Sequence, residues 1–295
     1  MFLILQDNAV AVQVYRDKTE ALEDFLKQRT KYLHPFIMPI QASLDHRGEY
    51  IAIYPLADAT LEELLQQDPP NLFVENSEAP WFQLVNVLSA LEHIYKSYSH
   101  DAKYYLDINP GKIYILNNKW MINAPGGHEV PEQDQYLAPE NHPHRGYDVW
   151  SLGCIGLEIA VWLSRGSKGL KEFYKSREST VGGKLRYRFQ QGGELHPAVK
   201  LLLEELKWDA EEDSLQFGIL EILEDMLRTD EAKRLTARES ERRFRELLGV
   251  QSPRNGEWPN KSMNYVSLHL HTSIYQDCLA DRYLIVAGIA GRHCR

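Results

Sequence analysis

A chain of 295 residues that is 43% hydrophobic and 25% charged is long enough to bury a sizeable core and lies well away from the composition of disordered proteins. Its formal net charge of -9 excludes a general nucleic-acid or acidic-membrane binder and leaves only a local basic patch open. No apolar run reaches the length of a membrane span, MFLILQDNAV lacks a basic n-region, and Cys154, Cys278 and Cys294 have neither a pairing pattern nor metal spacing; a cytoplasmic protein without a membrane span is expected.

The chain opens on MFLILQDNAVAVQVY, two β-rich runs split by Asp7-Asn8. TEALEDFLKQRTKYL predicts a helix, with Thr19 as N-cap and Leu22, Phe25, Leu26 and Leu33 near a helical repeat, ended by His34-Pro35. PFIMPIQASLDHRGEYIAIYPL predicts a hairpin turning at Asp45 to Gly48. ATLEELLQQ opens a short helix, DPPNLFVENSEAP reads as a loop, and WFQLVNVLSALEHIYKSY is amphipathic and helical. Short strands at KIYIL and WMINA precede YDVWSLGCIGLEIAVWL, which is apolar nearly all round and predicts a buried helix. From Leu195 to Leu248 the pattern is helical with acidic, solvated faces, and after Gly249 the composition shifts to the linker-like QSPRNGEWPNKS. The fold class expected from this order is α+β: a strand-rich N-terminal part with one helix over 1–58, a larger helical part over 59–249, and an extension of unknown role over 250–295.

Three motifs on two segments then narrow the expectation. QYLAPENHPHRGYDVWSLGCIGLEI carries Ala138-Pro139-Glu140 and Asp148-Val149-Trp150-Ser151-Leu152-Gly153-Cys154, and LRTDEAKRLTARE carries Arg234. From about Met1 to Gly249 the order of segments resembles the eukaryotic-type protein kinase superfamily, which implies a two-lobed kinase-like fold with a reduced N-terminal β lobe. The resemblance implies that Glu140 pairs with Arg234 in a largely buried ion pair. It also implies that Asp148, at the start of the buried helix, bonds backbone amides of the catalytic loop.

The catalytic positions depart from the kinase pattern. Where kinases read H-R-D-L-K-P-x-N, this chain reads Tyr105-Leu106-Asp107-Ile108-Asn109-Pro110-Gly111-Lys112, so Asp107 keeps the base position while Lys112 replaces a magnesium-binding asparagine. A lysine there sets one cation where another should bind. Asn123, in KWMINAPGG, aligns with the metal-binding Asp of D-F-G, and a neutral amide is a poor ligand for a hard dication. Gln13, in VAVQ, replaces the phosphate-holding lysine of V-A-I-K; that lysine's glutamate partner falls near Phe25, with Glu23 or Asp24 reachable only by a slip. The nine residues before Val10 contain no glycine, so no glycine-rich phosphate lid is expected if Met1 is the native start.

The resemblance therefore implies a catalytically impaired pseudokinase, acting as a scaffold or regulatory module on protein partners of unknown identity. No cofactor is expected, and ATP is possible only without normal magnesium coordination. The alternative is a divergent Ser/Thr kinase or kinase-fold ATP-dependent transferase using Asp107, and a third reading makes the tail, with LIVAGIAG, the docking part. Other candidates have blander readings. His142 and His144 sit in a turn-rich loop, and His269, His271, His293 and Cys294 lack ligand spacing. Lys184, Arg186 and Arg188 alternate with Leu185, Tyr187 and Phe189, a strip expected to be a solvated face more than a phosphate or RNA site.

Overall fold

The computed structural model describes residues 10–15, 33–46, 49–97, 105–123, 134–140, 144–181, 184–251 and 283–285. The expected helix over TEALEDFLKQRTKYL, with Glu23, Asp24 and Phe25, falls almost wholly outside them. So do His142, His269, His271, His293, Cys278, Cys294 and the tip of the hairpin turn.

The first part is an antiparallel sheet. β1 (Val10–Tyr15) lies beside β3 (Glu49–Pro55), which pairs with β2 (Ala42–His46); the strand order continues on the other side of β1 to a C-terminal strand, β11 (Tyr283–Ile285). Leu284 and Ile285, the first residues of LIVAGIAG, thus pair with Val12 and Ala11. Tyr15, Met38, Ala52 and Tyr54 of this region pack with Met121 in a small apolar cluster.

A short sheet follows, in which β4 (Ala59–Thr60) and β6 (Lys119–Ile122) flank β5 (Ile113–Leu116). The two sheets are joined through backbone: Met38 N donates to Ile122 O at 2.8 Å, and Ile122 N donates to Phe36 O at 3.1 Å. Thr60 then opens α1 (Leu61–Leu65) with a capping box, its hydroxyl taking the Glu63 amide while the Glu63 carboxylate takes the Thr60 amide. Where the sequence reads as a loop, Asn71–Glu75 forms a short helix, α2. Pro70 is its N-cap, and Phe73 is carried into the core.

The larger part is helical. α3 (Ala79–Ser97) and α4 (Arg145–Ser176) bury most of their length, and α5 (Pro197–Asp209), α6 (Leu215–Met226) and α7 (Ala237–Leu247) pack around them. Two small hairpins, β7 (Ser179–Val181) with β8 (Lys184–Arg186) and β9 (Gln190–Gln191) with β10 (Glu194–Leu195), connect α4 to α5. The basic strip GKLRYRF does not continue as one strand. Leu185 is exposed on β8, whereas Phe189 drops fully into the core. α4 is kinked at Gly166, whose φ of 68° is open to glycine at little cost. Asp68 restarts the helix there, accepting from the Ser167 amide at 2.9 Å and its hydroxyl at 2.7 Å. Among the described residues, no helix is long and apolar enough to cross a membrane.

α4 runs so close to its neighbours that a Cβ on Gly156 would meet a Leu223 methyl at 2.4 Å and a Leu84 methyl at 3.4 Å. Leu84 and Leu223 are fully buried, so neither can swing into solvent. Gly156→Val is expected to cost about 1–3 kcal/mol, read as a lower urea midpoint at unchanged slope.

His34 holds the approach to the sheet against the helices: its Nδ1 accepts from the Phe36 amide at 3.4 Å and its Nε2 lies 3.5 Å from the Ser89 hydroxyl. Burial, with the nearby His93 and Arg245, lowers its pKa from 6.5 to about 3. A base with a depressed folded pKa contributes stability that is fully present above its unfolded value and lost as pH falls from that value toward the folded one. Wild-type protein should therefore lose stability relative to His34→Gln as pH drops below about 6.5, by up to ~1.4 kcal/mol per unit, in urea denaturation at stepped pH.

Candidate functional site

The candidate site is the loop from Tyr105 to Lys112, between α3 and β5. Its backbone is fixed from below by Asp148 in the first turn of α4, which is fully buried. One carboxylate oxygen accepts from Leu106 N at 2.7 Å; the other accepts from Tyr105 N at 2.9 Å and from the Tyr95 hydroxyl at 2.6 Å. Burial pushes the Asp148 carboxyl up to about 6, against these three donors, which pull it down. The donors matter to the loop because Leu106 has a φ of 62°. A left-handed leucine costs about 1–2 kcal/mol, and hydrogen bonds to a charged acceptor contribute about 1.5–3 kcal/mol each, so the clamp outweighs the strain. Tyr95 is tied in further, since its hydroxyl lies 3.2 Å from Arg145 O and its carbonyl accepts from the Arg145 guanidinium at 3.0 Å.

Asp107 follows Leu106 and is enclosed by its own loop. Asn109 Nδ2 donates to one carboxylate oxygen at 3.0 Å and to the Asp107 carbonyl at 3.3 Å. Lys112, brought round by the turn Pro110–Lys112, places Nζ 3.5 Å from the other carboxylate oxygen. With the Lys112 side chain 33% exposed and that of Asp107 20%, the pair adds at most about 1 kcal/mol of stability. Its larger effect is on charge: an ammonium beside the one carboxylate of the loop offsets its negative field. Gln13 and Asn123 are each held by a tyrosine. Gln13 accepts from the Tyr54 hydroxyl at 3.3 Å across β1 and β3, and the Asn123 amide lies 3.5 Å from the Tyr114 hydroxyl at the end of β6.

Glu140 and Arg234, 94 residues apart, meet in a bidentate pair with Nη1 2.6 Å and Nη2 2.8 Å from the two carboxylate oxygens. The guanidinium has no exposed surface and spends its remaining donors on the carbonyls of Arg228 and Gly146. The Arg234 contacts hold the Glu140 carboxyl below its ordinary value although burial opposes them. Arg234→Ala leaves a largely buried carboxylate with its His144 hydrogen bond but no guanidinium, and should cost about 3–5 kcal/mol in chemical denaturation. Arg234→Lys should fail to restore the loss, because an ammonium cannot reproduce the planar fork.

His144 is the one member of the NHPH histidine pair that is described. Its Nε2 sits 2.7 Å from Glu140 Oε1 and 2.9 Å from Glu231 Oε2, a grouping compatible with a metal by distance. The other ring nitrogen decides against it. Nδ1 accepts from the Gly146 amide at 3.0 Å as the N-cap of α4, so in a neutral ring the proton is on Nε2 and is donated to the carboxylates. A metal at Nε2 would need the proton moved to Nδ1, where it would face the Gly146 N–H. The three residues form a hydrogen-bonded triad that extends the Glu140–Arg234 pair.

A second buried network lies farther along α4. Glu158 and Arg177 are both fully buried and 3.4 Å apart; the Tyr136 hydroxyl donates to Glu158 at 2.9 Å, and Ser151 donates to the Tyr136 carbonyl at 2.9 Å. The Arg177 guanidinium lies in the corner formed by the edge-to-face rings of Phe173, at 4.1 Å, and Phe189, at 3.8 Å, and donates to Tyr187 O at 2.9 Å. Burial raises the Glu158 carboxyl while Arg177 opposes it. Sequence reasoning missed Glu158, Arg177, Tyr95 and Glu231. Glu158 alone had a visible signal, a carboxylate inside an otherwise apolar helix; the others are ordinary surface-type residues in a linear reading.

No family model matches the chain, and no curated protein matches its sequence at a significant level.

Proposed function

We propose that the chain is a two-lobed, kinase-like protein that has lost phosphotransfer and acts as a protein-interaction or scaffold module, a pseudokinase. The observation that carries the proposal is the state of Asp107: Lys112 lies 3.5 Å from one carboxylate oxygen and Asn109 bonds the other at 3.0 Å. A general base must reach a substrate hydroxyl, and a phosphoryl donor needs metal beside it. Here an ammonium and an amide already engage the two carboxylate oxygens. Further support comes from the clamp of Asp148 on the loop amides and from the Glu140–Arg234 pair, both of which the kinase resemblance implies. Asn123 and Gln13 add no charge for metal or phosphate.

Thermal unfolding with millimolar ATP, in magnesium and in EDTA, tests the reading. A ligand at about a hundred times its dissociation constant stabilises by about 2.7 kcal/mol, a rise of roughly 5–10 °C for a chain of this size. We expect no magnesium-dependent rise and no transfer of labelled γ-phosphate to a protein substrate. A rise that requires magnesium, with phosphate transfer abolished by Asp107→Asn, would sink the proposal in favour of a divergent kinase. A rise equal in EDTA would keep the pseudokinase and make it a nucleotide sensor, with Lys112→Ala expected to remove the shift.

A further inference from the structure

α5 buries Val199, Leu202, Leu203 and Leu206 against the helical core, yet it also turns apolar side chains outward. Leu201 is 57% exposed and Trp208 is 89% exposed. The seven-residue spacing between them is close to two helical turns, so both lie on one face. An indole that can bury about 150–250 Å² is here left almost entirely in water. Leu201 alone would be an ordinary exposed leucine; the free tryptophan needs a reason.

Beside it is an open groove of about 440 Å³, lined by Trp208, Glu204, Glu205 and Asp209 of α5 and by Arg165 of α4. Arg165 is committed to Glu205 at 3.1 Å and Asp209 at 3.9 Å, while Glu204 and the following Glu211, Glu212 and Asp213 are exposed. Trp208 is in the last turn of α5, where the unpaired carbonyls add a partial negative charge. Among the described residues no lysine or arginine lies over its ring. The carboxylates by themselves would be a solvated face. Their surrounding an uncovered indole is a different matter, because tryptophan presents the best aromatic face for a cation.

We propose that this face docks a basic linear segment of a partner protein, with an arginine or lysine side chain lying over Trp208 and its aliphatic stem toward Leu201. Charge selects this occupant over the others. Nucleic acid and anionic lipid would meet the same carboxylates, and a second copy of the chain would bring a net charge of -9 against them. The inference is independent of the state of Asp107 and holds equally for an active or an inactive catalytic loop.

Fluorescence anisotropy of the full chain with a labelled peptide of alternating arginine and glycine tests it, with a glutamate–glycine peptide of equal length as control. Trp208 is exposed, so Trp208→Ala should fold and melt as the wild type does. We expect binding that weakens as salt is raised, a loss of about fivefold in affinity in Trp208→Ala, most of it restored by Trp208→Phe, and no binding of the glutamate peptide. Glu204→Gln combined with Asp209→Asn should weaken binding and flatten its salt dependence. Equal affinity of wild type and Trp208→Ala would overturn the proposal, leaving only diffuse attraction to an acidic chain. Concentration-dependent dimerisation abolished by Trp208→Ala, without peptide binding, would also overturn it and make a second copy the occupant.

Discussion

The buried carboxylate of Asp148 is the fixed point on which the candidate site depends. It gathers the amides of two consecutive residues, Tyr105 and Leu106, together with the Tyr95 hydroxyl, and so joins α3, α4 and the loop at one place. An ionised group without exposure is tolerated when both its oxygens are hydrogen-bonded, and here a hydroxyl and two main-chain donors serve them. The same bonds hold Leu106 in a left-handed conformation it would not adopt unaided, and this sets the direction in which the chain leaves toward Asp107.

Two further buried charge networks follow the course of α4. Glu140 with Arg234 fastens the segment before the helix to the segment before α7, and Glu158 with Arg177 fastens the middle of the helix to the chain beyond its end. Such pairs contribute little net stability compared with apolar packing of the same volume, because the cost of desolvating both ions offsets their attraction. Their effect is on specificity. Once the charges are buried, any arrangement that separates them leaves an uncompensated ion, so the segments that carry them have one place to go. Arg177, lying against the rings of Phe173 and Phe189, enters an aromatic core with its terminal nitrogens bonded to Glu158 and to the Tyr187 carbonyl, while its Nε is buried without a partner among the described residues.

Against this rigid framework the loop's chemistry is turned inward. Asn109 and Lys112 both engage Asp107 within a stretch of six residues, so the acid is held by its own neighbours. The framework folds the molecule whatever chemistry the loop performs, because its bonds are made within the protein. An outward-facing surface such as that around Trp208 is where a protein of this kind would meet its partners.

Sequence alone determined the elements whose signals are local. The short strands at KIYIL and WMINA and the nearly all-apolar run of α4 each need only neighbours along the chain to be read. The residue types at Gln13, Lys112 and Asn123 were legible for the same reason, since the presence or absence of a side-chain charge is the same in any fold. Asn71–Glu75 was not, because a five-residue helix has too few turns to declare a period and forms by placing Phe73 in the core. Tertiary structure alone decided the pairings over long separations. Tyr95 reaches Asp148 across 53 residues, and Glu231 reaches His144 although nothing in either segment names the other. Whether His144 was a ligand or a donor depended on the Gly146 amide at its far nitrogen, and whether Trp208 was core or surface depended on which face of α5 the rest of the molecule covered. Burial and hydrogen-bond direction are properties of the surroundings, and the sequence specifies those surroundings only through the whole fold.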